Sequence, residues 1–213
     1  MLQRYIDTPL LLSNRKFHIR AYALAFSDLQ VFLSRDCLAL CSGTRYNMND
    51  TSNLFSHITN TAYQDLDPNF KEEKCVLLWD NEDISPILIK DGRCHDLAEA
   101  TMRIDSVFND MVKITGELFR AYENEIGAFT PIEGCFEHFG LDFVVDENWQ
   151  VHLLEVNPGP DFKQTGKRLQ SVIYNLMSAT VDEVFRSSLM AASCKSHDSD
   201  CMVQCYKRDH NKR

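Results

Sequence analysis

Residues 140–165, GLDFVVDENWQVHLLEVNPGPDFKQT, contain two apolar runs on either side of a polar turn and end in a Pro/Gly-rich corner. The turn candidate is Asp146-Glu147-Asn148, so the pattern predicts a β-hairpin. Strand side chains repeat every two residues, which puts Glu155 and Asn157 on one face. Closing the hairpin about its turn then brings Asp142 opposite or diagonal to Glu155.

Two carboxylates and an amide oxygen would crowd together in such a hairpin. Oxygen ligands of this kind suit Mg²⁺, which proteins usually hold through one or two carboxylates, substrate phosphates and water. The alternative is a surface hairpin with solvated acids, because acidic residues are mostly exposed. The apolar neighbours Leu153, Leu154 and Val156 favour the interpretation that the acids lie in an otherwise buried strand.

The bulk composition restricts the class of protein. A chain of 213 residues is long enough for one large domain or two small ones. The net charge of −9 argues against broad nucleic-acid binding. The sequence has no run of about 18 apolar residues that would span a membrane. The polar N-terminus is not a secretory signal, so we expect a cytoplasmic protein whose eight cysteines are free thiols.

Strands are predicted before residue 80. Residues 17–26, FHIRAYALAF, alternate well and pair with residues 29–33 as an antiparallel hairpin. Residues 2–6 form a short strand candidate that ends before Pro9, and residues 74–79 are an extended run.

Two amphipathic helices are predicted, over residues 98–125 and 169–189. We divide the chain into a folded part, residues 1–190, and a polar tail, residues 191–213, that we expect to be disordered. The tail has five potential zinc ligands whose spacing matches no standard finger, so a zinc site is the less favoured interpretation. They are Cys194, His197, Cys201, Cys205 and His210.

Basic side chains complement the acids of the hairpin. Lys16, His18 and Arg20 alternate along one strand, and Lys and Arg supply positive charge for phosphate oxygens. With Mg²⁺ held by the acids, this set predicts a nucleoside triphosphate site on an antiparallel sheet. The alternative for Arg20 is a solvent-facing or salt-bridged position at a sheet edge.

At these residues the sequence resembles the tubulin–tyrosine ligase and ligase-like family, which has the ATP-grasp fold. Four segments in the same order carry the resemblance, which covers roughly residues 3–186. They are QRYIDTPLLLSNRKFHIR, the loop RYN followed by SHITN, FEHFGLDFVVDENWQVHLLEVN, and the helix after it. The ending NPGPDFKQTG is most similar to the branch that includes fungal P-body-associated ligase-like proteins.

The resemblance implies an α+β fold, an antiparallel sheet with packed helices, of which the N-terminal portion is missing from this chain. It implies a ligase that phosphorylates a carboxylate with ATP and Mg²⁺ and joins it to an amino acid amine. It also implies roles for particular residues. The nucleotide-binding set is Gln3, Arg4, Tyr5, Ile6, Lys16, His18, His57, Ile58, Thr59, Asn60 and Leu154, the catalytic residue is Arg20, and the Mg²⁺ ligands are Asp142, Glu155 and Asn157.

Two positions depart from the family pattern. His18 stands where the family usually has Asp, and an imidazole does not replace the charge of a carboxylate. Leu40 stands where the tyrosine ligase has a substrate-binding arginine, so specificity for tyrosine is not expected. The acceptor implied is tubulin or another protein with an acidic tail. The alternative function is a truncated or non-catalytic module that binds nucleotide or protein.

Overall fold

The structure is a computed structural model that describes most of the chain. The described residues are 3–26, 28–71, 74–123, 125, 131–160, 162, 166–188 and 201–209.

The described strands join into one antiparallel sheet around a long central strand. In chain order they are β1 (Leu11–Leu12), β2 (Arg15–Phe26), β3 (Gln30–Ser34), β4 (Leu38–Cys41), β5 (Val76–Leu78), β6 (Phe136–Val145), β7 (Val151–Pro158) and β8 (Met202–Lys207). Along one edge β2 pairs with β4 and then with β3. Along its other edge it pairs with β6, and β6 pairs with β7.

Helices cover both faces of the sheet. They are α1 (Thr61–Gln64), α2 (Ser85–Lys90), α3 (Leu97–Tyr122) and α4 (Gly166–Ser188), and a 3₁₀ turn covers Leu54–Ser56. The side chain of Asp96 caps the start of α3 by accepting a hydrogen bond of 2.8 Å from the backbone N–H of Glu99. None of the described helices is long and apolar enough to cross a membrane.

Alternation along β2 divides the core into two sides. Phe17 and Ile19 point toward the main core, which also contains Met111 of α3. Tyr22 points the other way, into a smaller cluster with Leu176 of α4. Because β2 is covered on both faces, its apolar residues from Phe17 to Phe26 are all buried. Lys16, His18 and Arg20 follow the alternation of Tyr22 and therefore lie on the α4 side of the sheet, where the candidate site is found.

Several predictions are confirmed. The sheet is antiparallel with packed helices, and the hairpin of residues 140–158 forms as β6 and β7. The two predicted helices correspond to α3 and α4 within three residues at each end. Every cysteine that the structure describes is a free thiol; Cys194 lies outside the described residues.

Three expectations about the termini and the hairpin are wrong. Described residues 3–6 of the predicted first strand form no strand, since Gln3, Arg4 and Tyr5 are exposed and bury no apolar face. The tail is not disordered throughout, because residues 202–207 form β8 against β3. Strand β7 is half-exposed rather than buried, since it pairs with β6 alone among the described strands.

Tail strand β8 packs closely on α3, and a glycine makes this possible. A Cβ atom added at Gly116 would lie 2.5 Å from the carbonyl oxygen of Cys205. Cys194, His197 and His210, which the less favoured zinc interpretation needs, lie outside the described residues. Within the described part of the chain, no group of three or more His, Cys, Asp or Glu side chains is arranged to hold a metal ion.

Candidate functional site

Three charged side chains lie in one row across three neighbouring strands. Arg20 of β2 is the register partner of Asp142 of β6, and Asp142 is the register partner of Glu155 of β7. The predicted pairing of Asp142 with Glu155 is therefore confirmed. Directly paired side chains of adjacent strands lie on the same face at short distance, so the row is continuous.

Arg20 binds the carboxylate of Asp142 with two hydrogen bonds. Its Nε donates to Oδ1 at short distance, and Nη2 donates to Oδ2 at 2.9 Å. The Arg20 and Asp142 side chains are only 16% and 7% exposed. Burial alone lowers the pKa of Arg20, but the hydrogen bond and the charge of Asp142 outweigh it and raise that pKa above its usual value. The salt-bridged alternative for Arg20 is thus what the structure contains, within the sheet rather than at its edge.

His18 lies beside this pair and is buried. Its Nδ1 is 2.6 Å from Oγ1 of Thr59, and its Nε2 is 3.7 Å from Oδ1 of Asp142. Burial lowers the pKa of His18 to about 3, and the positive charge of Arg20 acts in the same direction. The imidazole is therefore neutral at physiological pH.

Glu155 and Asn157 form the open end of the row. Glu155 is exposed and Asn157 is half-buried, and the Asn157 Nδ2 donates to Glu155 Oε1 at 3.1 Å. The amide oxygen of Asn157 is therefore left for another ligand. The Asp142 carboxylate offers about four lone-pair sites, of which Arg20 uses two. Two carboxylates and one amide in this arrangement fit a Mg²⁺ ion that also binds phosphate and water.

A cleft of about 670 Å³ opens between the N-terminal segment and the hairpin; it reaches Leu154, the neighbour of Glu155, but Arg20, Asp142 and Glu155 do not line it. Six residues of the predicted nucleotide-binding set line it, namely Gln3, Arg4, Tyr5, Ile6, Lys16 and Leu154. The segment before β1 is fixed to the hairpin turn, because the backbone N–H of Glu147 donates to the Thr8 carbonyl oxygen at 2.9 Å. This contact explains how an irregular segment forms one wall of the cleft.

Within the cleft, Tyr5 connects a lysine to a histidine. The Lys16 Nζ donates to the Tyr5 hydroxyl at 3.0 Å and lies 4.4 Å from the centre of its ring. The Tyr5 hydroxyl is also 2.9 Å from Nδ1 of His57. His57 therefore contacts the cleft through Tyr5, while Lys16 presents a cation directly to it.

The whole sequence can be compared with known protein families. Residues 1–193 match the tubulin-tyrosine ligase family. The chain belongs to this family. The resemblance drawn from the four sequence segments is thus confirmed.

Two fungal members of the family are similar over most of the chain. A probable tubulin–tyrosine ligase of Schizosaccharomyces pombe is 38% identical over 202 residues, which are 93% of this chain and 45% of that protein. The probable tubulin–tyrosine ligase PBY1 of Saccharomyces cerevisiae is 36% identical over 192 residues, 85% of this chain and 24% of that protein. The chain therefore spans less than half the length of these two relatives.

A solved structure supports the fold assignment. The C-terminal domain of Pby1 from K. lactis, an ATP-grasp enzyme interacting with the mRNA decapping enzyme Dcp2, superposes with a TM-score of 0.68 at 30% identity. The match covers 96% of this chain and 52% of that one. The predicted ATP-grasp-like fold is confirmed.

The residues of the segment SHITN, residues 56–60, have different roles at the site. Thr59 contacts His18 directly. Asn60 instead caps helix α1, since its side chain accepts a hydrogen bond of 3.3 Å from the backbone N–H of Tyr63. The carbonyl of Ile58 accepts from the Gln64 side chain. Ile58 and Asn60 thus hold the loop that presents His57 and Thr59.

One cleft residue that the sequence did not indicate is His152. Its Nε2 is 3.1 Å from Oδ2 of Asp146. Burial raises the pKa of Asp146, but hydrogen bonds from His152 and from two backbone N–H groups outweigh this and lower it. The register shifts at Leu154, so that Asp142 pairs with Glu155 while Phe143 pairs with Leu153. With strict alternation, His152 and Glu155 would lie on opposite faces of β7. The register shift is a β-bulge at Leu154, and it brings both side chains to the same face.

Proposed function

We propose that the protein is an ATP- and Mg²⁺-dependent carboxylate–amine ligase of the tubulin–tyrosine-ligase-like class. It would add an amino acid to a protein acceptor, either tubulin or another protein with an acidic tail. The observation that carries the proposal is the register of Arg20, Asp142 and Glu155 across β2, β6 and β7, two strands of which also line the cleft through Lys16 and Leu154. Catalysis of phosphoryl transfer depends on positioning the reactants and on stabilising the charge of the phosphates. The charged side chains of this row could contribute to both.

The proposed reaction has two steps. An oxygen of the acceptor carboxylate attacks the γ-phosphorus of ATP, the bond to the β,γ-bridging oxygen breaks, and ADP leaves. The amine of the incoming amino acid then attacks the carbonyl carbon of the acyl-phosphate. Inorganic phosphate leaves with one oxygen of the original carboxylate, and the amine loses a proton as the new amide bond forms.

Each set of residues has a part in this proposal. Arg20 and Lys16 would bind phosphate oxygens, because guanidinium and ammonium groups are strong donors to them. Asp142, Glu155 and Asn157 would hold Mg²⁺, which neutralises charge on the phosphates when bound. The other predicted nucleotide contacts in the cleft, Gln3, Arg4, Tyr5, Ile6 and Leu154, would enclose the nucleoside.

The names of similar proteins support a tubulin-like acceptor, and the acceptor in turn implies where the protein acts. Relatives that are 38% and 36% identical are named probable tubulin–tyrosine ligases. A protein that modifies tubulin with ATP would act where both are found, so the proposal implies a cytoplasmic protein. Leu40, at the position where the tyrosine ligase has an arginine, makes an amino acid other than tyrosine the expected donor.

A second candidate is a module that binds nucleotide without turning it over. His18 favours it, since a neutral buried imidazole replaces an acid of the family motif. In this case the site would bind Mg·ATP and contribute to association with another protein. The similar Pby1 of K. lactis is an enzyme that interacts with a protein partner, the decapping enzyme Dcp2.

A ligation assay separates the two candidates. The protein is incubated with Mg·ATP, labelled amino acids and an acidic tubulin-tail peptide whose carboxyl groups carry ¹⁸O. The ligase predicts ATP-dependent labelling of the peptide and transfer of ¹⁸O to inorganic phosphate, both lost in Glu155→Gln. Binding of Mg·ATP without labelling would favour the module and contradict the ligase.

A further inference from the structure

One polar atom of the site has no partner. Nε2 of His18 is fully buried and makes no hydrogen bond to any residue that the structure describes. It faces Oδ1 of Asp142 at 3.7 Å, which is beyond hydrogen-bond range. Leaving a buried polar group unpaired is costly, and each instance in a folded protein calls for an explanation.

The neighbours of His18 determine where its proton lies. A neutral imidazole carries one N–H, on either Nδ1 or Nε2. If Nδ1 carried it, the Nε2 lone pair would face the carboxylate of Asp142, which is repulsive. If Nε2 carries it, the N–H dipole points at the carboxylate and the Thr59 hydroxyl donates to Nδ1 over the observed 2.6 Å. The second tautomer satisfies Nδ1 and aims a donor at Asp142.

Asp142 needs such a donor only when Arg20 moves. In the structure both carboxylate oxygens are occupied by Arg20. An anionic ligand at the row would compete for the same guanidinium donors, because arginine binds carboxylate and phosphate with the same geometry. A buried carboxylate that loses its arginine is strongly destabilised unless other partners replace it, and in the proposed site these would be Mg²⁺ and the Nε2–H of His18.

We propose that His18, held in its Nε2–H tautomer by Asp142 and Thr59 together, is a positioning residue that holds Asp142 when Arg20 turns to an anionic ligand. A movement of the carboxylate by about 1 Å converts the 3.7 Å approach into a hydrogen bond. The loop that carries Thr59 thereby contributes to the site without contacting the ligand. This inference rests on the proposed nucleotide site, since it assigns the ligand of Arg20 to the phosphates of ATP.

The first test needs no ligand. Long-range ¹H–¹⁵N NMR of the ¹⁵N-histidine-labelled protein identifies which ring nitrogen of His18 is protonated. The expected result is Nε2–H, with a mixture of tautomers in Thr59→Val and an unchanged signal in Thr59→Ser. An Nδ1–H tautomer in the wild-type protein would overturn the proposal, whether or not ATP binds.

The second test compares two amide substitutions by calorimetric titration with Mg·ATP. His18→Gln places an N–H near the Nε2 position, whereas His18→Asn places one near Nδ1 and leaves Asp142 without a donor. We expect His18→Asn to bind about tenfold or more weakly, as for other residues that orient metal ligands, and His18→Gln to remain near wild type.

A matched control is His138, a second histidine paired with a threonine, whose Nε2 is 2.9 Å from Oγ1 of Thr180. His138→Asn should leave Mg·ATP affinity unchanged. Equal affinities of His18→Asn and His18→Gln would contradict the positioning role. If the wild-type protein binds no Mg·ATP, the proposed function fails, and the tautomer experiment still decides whether Thr59 orients His18 toward Asp142.

Discussion

Arg20 and Asp142 are register partners on antiparallel strands, and the guanidinium of one binds both carboxylate oxygens of the other. The pair is almost buried, and it stands where the sheet changes from an apolar core to an open polar row. Each member of this pair neutralises the charge of the other, so removal of one member leaves a buried, unpaired charge.

Breaking this pair on one side should destabilise the protein strongly. Arg20→Met leaves a buried carboxylate without its cation, and such losses cost about 3–5 kcal/mol in the free energy of unfolding. The double variant Arg20→Met/Asp142→Leu should be more stable than Arg20→Met, because it buries no unpaired charge. Urea denaturation of the variants measures both effects.

An exposed ion pair provides the control. The Lys113 Nζ is 3.0 Å from Asp110 Oδ1, and these side chains are 71% and 40% exposed. Lys113→Gln should therefore cost no more than about 1 kcal/mol. A similarly small cost for Arg20→Met would contradict the paired, buried state of Asp142.

Acidification should destabilise the fold through His18. The pKa of its imidazole is about 3 in the folded protein against an ordinary value of 6.5, so the unfolded chain binds the proton more readily. The contribution of neutral His18 to the free energy of unfolding is complete above about pH 6.5 and is lost as the pH falls toward 3. Between pH 7 and pH 5 this one group accounts for about 2 kcal/mol.

Denaturation of wild type and His18→Gln at the two pH values tests this dependence. The loss on acidification should be about 2 kcal/mol smaller in the variant. A residual slope is expected, since burial also lowers the pKa of His138. An identical pH dependence in the two proteins would show that His18 is not buried as a neutral group.

The hairpin could be predicted from the sequence because its signals are local. The turn around Asp146 separates two apolar runs, and register then follows from the period of two. Strand β4, with the sequence LALC, was missed because four apolar residues carry no alternation. The bulge at Leu154 was missed because it depends on how two strands pair, and it is what turns His152 toward the cleft.

Contacts distant in the sequence were not predictable from residue pattern. Tyr5, Lys16 and His57 meet only once the sheet has formed, and nothing in their local sequences signals the contact. The same holds for β8. Its composition is that of a polar tail, yet Tyr206 packs in the main core through pairing with β3.

Substituting Gly116 by alanine should destabilise the protein although alanine is the better helix former. In an ordinary helix the change is worth about 1 kcal/mol in favour of alanine. Here the added Cβ would lie 2.5 Å from the Cys205 carbonyl oxygen, so β8 would have to shift. Thermal denaturation should show a lower Tm.

A truncated chain serves as the control for this prediction. In a variant that lacks residues 201–213, Gly116→Ala should be neutral or stabilising, because the clashing carbonyl is gone. A raised Tm for Gly116→Ala in the 213-residue chain would mean that β8 does not dock on α3.

Glu155→Gln should weaken Mg·ATP binding with little effect on stability. The side chain is exposed on β7, so its charge is not needed for folding. Substitution of a residue that only orients metal ligands lowers metal affinity about 10- to 100-fold. We therefore expect substitution of a ligand itself to lower Mg·ATP affinity about 100-fold or more. Glu137→Gln, an exposed acid five residues before Asp142 on β6, is the matched control.

We propose that β2, β6 and β7 form one wall of a Mg·ATP site, and calorimetric titration of the 213-residue protein is the decisive test. We predict heat of binding with Mg·ATP, its loss when Mg²⁺ is chelated, and its loss in Glu155→Gln but not in Glu137→Gln. Absence of binding by the wild-type protein, or equal binding by the two variants, would show that these strands do not form a Mg·ATP site.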